Sequence, residues 1–202
     1  MDVKRFLKYG GFVAGVVLIA FGAAAIFLGV DGRSTVRDSI AQEQVFFENA
    51  AEDPATAQYA SKWSEQQVRT GDQARAFAQI MRQHALQSSD GLTYAQMGRF
   101  VAAANPDDPA GTSDPAAALV DDEGKPVQNG ARNTWVTATA ISTALNMSYL
   151  AEQTSIFGMV VGVALLLAGV GFVVLAWFAL GASRRPSEAA APAMVAAPVS
   201  GD

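Results

Sequence analysis

Two long apolar runs frame the chain, and the residues between them follow other patterns. The first run, YGGFVAGVVLIAFGAAAIFLGV from Tyr9 to Val30, carries no charge over 22 positions; the second, IFGMVVGVALLLAGVGFVVLAWFALGA from Ile156 to Ala182, carries none over 27. About 20 apolar residues cross a bilayer as helix, so each run is long enough to span, the second with tilt. The spans are expected near 9–30 and 156–181. A buried soluble helix is the alternative for each, but two such runs in 202 residues leave little protein to bury them.

The segment between the runs reads as mostly helical. Val36, Ile40, Gln44 and Phe47 recur at helical spacing, which predicts a helix over 35–47 with Ser34 as N-cap. Asn49 to Pro54 interrupts it, and a short helix is expected around 59–67. Thr70 followed by Gln73 forms a capping box ahead of QARAFAQIMRQHALQ, with Phe77, Ile80, Met81 and His84 on one face and Gly91 as the stop. Thr93 and Gln96 repeat the cap signal before a short helix to about Ala104. From Asn105 to Gly130 prolines and turn formers predict a hydrated acidic loop, and no strand pattern is strong anywhere.

The second apolar run has a long polar prelude. Arg132 to Phe157 contains no proline or glycine, and Trp135, Ala138, Ile141 or Ser142, Leu145 and Tyr149 form a stripe at spacings of three and four. One helix from Asn133 to about Leu180 is predicted, roughly 75 Å long at 1.5 Å per residue. Its outer half needs a partner, and the segment leaving the first run is the natural one. The expected fold is an all-α membrane protein: two transmembrane helices, a mostly helical extracytoplasmic domain between them, and an extended helical hairpin packed through Val36, Ile40, Phe47, Trp135, Ile141 and Leu145. A hinge between Ser148 and Ser155 is the alternative. In the runs themselves, Gly11 with Gly15 and Gly158 with Gly162 form GxxxG pairs suited to close helix approach, with Gly169 among the further small residues.

Charge then orients the chain. Lys4, Arg5 and Lys8 precede the first run, and Arg184 and Arg185 follow the second, so the positive-inside rule puts both ends in the cytoplasm. Residues 1–8 become a basic cytoplasmic terminus and 182–202 an Ala/Pro-rich disordered tail. Residues 31–155 face outward from the plasma membrane with 16 acidic against 9 basic residues, a balance of −7 that offers nucleic acid no footprint. The basic start and Ala23 to Ala25 also suit a cleaved signal peptide, but the run continues through Ile26, Phe27 and Leu28, so an uncleaved anchor is expected.

Chemistry is sparse. The chain has no cysteine and one histidine, His84, which shares a face with Phe77 and Met81 and reads as a hydrogen-bonded packing residue. No HExxH or GxSxG motif occurs. Neither Asp107–Asp108 nor Asp121–Asp122–Glu123 has the spacing of a calcium loop. The apolar runs hold no ionisable side chain between Gly10 and Val30 or between Ile156 and Ala182, which argues against a proton or ion path within them. No catalytic residue, metal ligand or cofactor is expected. The expected partners are membrane lipid and a membrane protein or second copy of this chain. Tyr59, Trp63, Tyr94 and Trp135 lining a pocket would make a ligand-binding or sensory module, the alternative to an accessory or scaffold role.

VRDSIAQEQVFF, KWSEQQVRTGDQARAFAQIM, TYAQM and the block from Arg132 onward resemble an actinobacterial family of small two-span membrane proteins without an established function. The resemblance covers most of residues 1–180. Some members carry a ring-opening dioxygenase label, and non-haem iron in such enzymes needs two histidines and a carboxylate. One histidine does not provide that set.

Overall fold

The computed structural model describes residues 3–181, with side chains from 9 to 178. The fold is all-helical: two long apolar helices flank a smaller helical segment. In chain order these are α1 (Val3–Gln42), α2 (Pro54–Tyr59), α3 (Gly71–Ser88) and α4 (Gly130–Gly181), with single 3-10 turns at Ser61–Trp63, Tyr94–Gln96 and Pro115–Ala117. Both α1 and α4 are long and apolar enough to cross a membrane. The tail expected to be disordered lies outside the described residues.

The long helices are simpler than the sequence pattern suggests at one point. No separate helix starts at Ser34, because α1 runs unbroken through it to Gln42. Nothing between Val30 and Gln42 removes a backbone donor, and the Ser34 hydroxyl turns along the helix to Asp38 at 3.4 Å instead of capping. The helix stops at Gln42; Gln44 then takes a left-handed φ of 51°, and Phe46 pairs with Gln67 in an antiparallel bridge. The other long helix is continuous for 52 residues, with no hinge between Ser148 and Ser155. Its start is fixed by Asn129, whose side-chain oxygen accepts from Ala131 and Arg132 N–H while its amide donates to the carbonyls of Gly98 and Pro109.

Two compact units divide the chain, one comprising α1 to Ala23 with α4 from Val163, the other Ala24–Gly162. In the first unit the two helix backbones touch. A Cβ on Gly15 would lie 2.7 Å from the Gly169 carbonyl oxygen, and one on Gly169 would lie 2.7 Å from that of Gly15. Ala176 is buried beside this contact.

In the second unit α1 and α4 again run antiparallel. A Cβ on Gly29 would meet Met159 at 2.6 Å and the Ser155 carbonyl at 2.7 Å. Beyond them a core of Ile40, Phe47, Ala55, Val68, Ala74 and Ile80 collects Val36, Trp63, Phe77 and Leu145. Phe47 stacks on Trp63 with centroids 5.9 Å apart and meets Phe77 edge-on at 5.8 Å. The α3 helix, opened by the predicted Thr70–Gln73 capping box, lies along α4: the Ser142 hydroxyl donates to the Ala78 carbonyl at 3.3 Å. It closes in a Schellman arrangement, Gly91 N–H to Leu86 O and Asp90 N–H to Gln87 O, with Asp90 at φ 52°.

Residues 93–129 depart most from expectation. The helix anticipated to Ala104 is only the turn Tyr94–Gln96, after which Phe100 and Ala102 form isolated antiparallel bridges to Thr112, Gln128, Asn105 and Ala118. Backbone bonds such as Val101 N–H to Val127 O and Leu119 N–H to Val101 O knit the acidic stretch into a framework without extended strands. Gly98 is required there, since a Cβ would lie 2.3 Å from the Thr112 carbonyl carbon.

Candidate functional site

The strongest concentration of buried polar chemistry lies where α1, α3 and α4 meet. Glu152 of α4 leaves only 4% of its side chain accessible, yet it keeps a charge. Its Oε1 accepts from Arg33 Nε at 3.0 Å and Arg37 Nε at 2.7 Å, two α1 residues one turn apart and therefore on one face. Its Oε2 accepts the backbone N–H of Gly71, the first residue of α3. Burial pushes this carboxyl upward; the Gly71 N–H and the two guanidinium groups outweigh it and hold Glu152 below the usual carboxylate range. The carboxylate also complements the positive end of α3. One side chain thus ties three helices together.

A second buried carboxylate lies against the C-terminal half of α3. Asp53 caps α2, accepting from Ala55 N–H, Thr56 N–H and the Thr56 hydroxyl, the last at 2.6 Å. His84 Nε2 of α3 approaches it at 3.1 Å. Burial raises the Asp53 carboxyl, but bonds from the Thr56 hydroxyl, His84 and the two N–H groups bring it down to about 2. His84 therefore occupies a hydrogen-bonded packing position that joins α2 to α3.

The residues singled out from sequence fall into different places. Val36, Ile40, Phe47 and Leu145 share one core. Trp135 belongs to another, with Ala85, Met97 and Ala138, so it packs on α3 and not on α1. Ile141 stands 41% exposed, and Ser142 makes the contact with α3. Gly15 sits at a backbone approach, whereas Gly11 and Gly158 have their nearest neighbour at 4.0 Å and could carry a Cβ. Gly162 is buried. Gly29, which lies outside both GxxxG pairs, makes a closer helix contact than Gly158.

The aromatic set does not assemble one pocket. Tyr59 and Trp63 line an open cleft of about 440 Å³ with Lys62 and Arg75, and Trp135 lines a different groove of about 200 Å³. Tyr94 lies under the Arg132 guanidinium at 4.1 Å. A larger polar cleft of about 590 Å³ opens between Arg37, Asp38, Gln67, Arg69 and Gln73. Among the described residues no cluster of three or more histidine or carboxylate side chains has the geometry to hold a metal ion.

The ionic junction was within reach of the sequence. Arg33 lies three residues beyond the first apolar run and Glu152 four before the second. Opposite charges at matched distances from two antiparallel apolar helices are the signal. Comparison with protein-family models, characterised proteins and solved structures finds no match to the chain.

Proposed function

We propose that this chain is a non-catalytic accessory or scaffold protein of the plasma membrane, with α1 and α4 crossing the bilayer near 9–30 and 156–181. Both ends lie in the cytoplasm and residues 31–155 form the extracytoplasmic domain. The observation that carries this reading is the exposed side of the two apolar runs. Phe27 is 70% exposed and Trp177 72%, and Phe21, Leu28, Leu167 and Phe178 are similarly bare. So much contiguous apolar surface suits hydrocarbon and not water. Gly15, Gly22, Gly29, Gly162, Gly169 and Ala176 are the buried small residues of these runs, the arrangement that lets two helices associate without a hydrophobic driving force.

The outer domain supports the scaffold role through the use it makes of its buried polar groups. Its buried carboxylates are spent on joining helices, and each is fully engaged by donors of its own chain. The same reading keeps the chain with the two-span family it resembles, without that family's dioxygenase label. Extraction in several mild detergents followed by native mass measurement tests it. A complex heavier than one chain is expected; a clean monomer in every detergent contradicts it.

A further inference from the structure

The outer half of α4 has two faces, and the core uses only one. Trp135, Ala138, Ser142, Leu145, Tyr149 and Glu152 turn inward. On the opposite side Val136, Ala140, Thr143, Met147, Leu150 and Thr154 are all exposed, Met147 by 57% and Leu150 by 54%. Their spacing is 4, 3, 4, 3, 4, and Phe157 and Val161 continue it. That spacing keeps them on one continuous face of the helix, close to the 3.5-residue repeat that a helix pair uses. The flanking positions are equally telling: Thr139, Asn146 and Gln153 on one edge, Ala144 and Ala151 on the other, small or neutral throughout.

Charge separates this face from an ordinary wet one. Between Asn133 and Ser155 the sole charged residue is Glu152, and it is buried. By contrast α3 exposes Asp72, Arg75, Gln79 and Arg82 at helical spacing, and its charges border α4 from the side, Arg75 over the Tyr149 ring and Arg82 over that of Trp135. A helix uncharged all round is ordinarily covered on both sides.

We propose that a second copy of this chain covers it, the two α4 helices forming a parallel coiled-coil seam from Val136 to Val161. The proposal rests on the membrane reading above, because anchoring in one bilayer orients both copies alike and brings identical faces into register. Across a two-fold axis each residue meets its own counterpart, so a self-complementary seam must avoid like charges. This one carries none, although the domain around it has a balance of −7. A groove of this length, roughly 39 Å by 10 Å, gives on the order of 400 Å² of facing area per copy. That is small for a soluble dimer. Confinement to a membrane raises the effective concentration and so lowers what the seam itself must contribute.

The chain has no cysteine, which makes the test direct. Single cysteines replace Val136, Ala140, Thr143, Met147, Leu150, Ile141 or Gln79 in the full chain, and isolated membranes are oxidised. Disulfide-linked dimer is expected at the first five positions and only background at Ile141 and Gln79. Adding Leu150→Glu to the Met147→Cys chain should abolish its dimer band; Leu150 is exposed, so unchanged tryptophan fluorescence verifies that the fold is retained. Equal bands at all positions, no band at any, or a Met147→Cys band that survives Leu150→Glu overturns the proposal. Carbonate extraction of the same membranes separates the two readings. Chain released to the supernatant removes the membrane reading and the parallel dimer together, whereas retained chain without the seam pattern removes the dimer alone.

Discussion

The same two helices are held together differently in the two units. In the first, α1 and α4 meet through backbone at Gly15 and Gly169, and neither carries a carboxylate there. In the second they meet through Gly29 and then through Glu152, a buried anion with three donors from two other helices. The difference follows from the proposed surroundings. In hydrocarbon an ionic junction would have to desolvate completely, and close packing of small residues is the cheaper contact. Near water the arginine heads stay partly hydrated while the carboxylate sits inside, so a charge can fix register where apolar packing alone would tolerate slippage.

Removing the junction should give the largest effect. Glu152→Ala leaves two guanidinium groups and the Gly71 N–H without their acceptor. A loss of about 2–3 kcal/mol is expected, below the range for fully enclosed pairs because both arginines reach water. Denaturant unfolding followed by tryptophan fluorescence would measure it. If the outer domain unfolds at the wild-type midpoint, the junction is not what joins the three helices.

Acid should separate the units next. Asp53 and Glu152 are both held below their ordinary values, so the stability they contribute is complete above about pH 4.5 and is lost as pH falls through the folded values, near 2 for Asp53. The first unit has no Asp or Glu in either helix between residues 9 and 23 or 163 and 181. Circular dichroism from pH 6 to 2 should show outer-domain signal lost while helicity equivalent to the apolar runs persists. Parallel loss of both would contradict the division.

Within the first unit, Gly15→Ala should cost about 1–2 kcal/mol of helix association, since its Cβ meets backbone that no rotamer change can relieve. Gly11→Ala should be silent, its nearest neighbour lying at 4.0 Å. Energy transfer between labels on the two helices would read both. Equal effects would mean that the GxxxG spacing, and not the Gly15–Gly169 approach, is what matters.

These contrasts mark how far the sequence carries. Helix continuity through Asn133 to Phe157 was legible because nothing there breaks a helix, and the Thr70–Gln73 cap because it is local. Glu152 and its arginines lie 115 and 119 residues apart, a separation that periodicity does not report, and only their matched distances from the two apolar runs point to the pairing. The bridged framework of 98–129 was illegible for another reason: it pairs one or two residues at a time, too few for alternation to emerge. The stripe on α4 was seen but assigned one partner, whereas the structure gives Leu145 to the α1 side and Trp135 to α3. The smallest predicted pair of effects probes that split. Leu145→Asp should destabilise the outer domain by at least about 1 kcal/mol by bringing a charge to the core edge, while Ile141→Asp should stay within about 0.5 kcal/mol. Thermal unfolding of both variants checks it, and a larger loss at Ile141 would reverse the assignment.

The central claim, two membrane helices continuing into one outer domain, is tested most directly by labelling single cysteines in intact cells with a membrane-impermeant maleimide. The account predicts that Asp108→Cys reacts from outside, that Ser200→Cys reacts only after lysis, and that Phe21→Cys and Leu167→Cys stay unlabelled in both conditions. Labelling of Asp108→Cys only after lysis, or ready labelling of Leu167→Cys in intact cells, would contradict it.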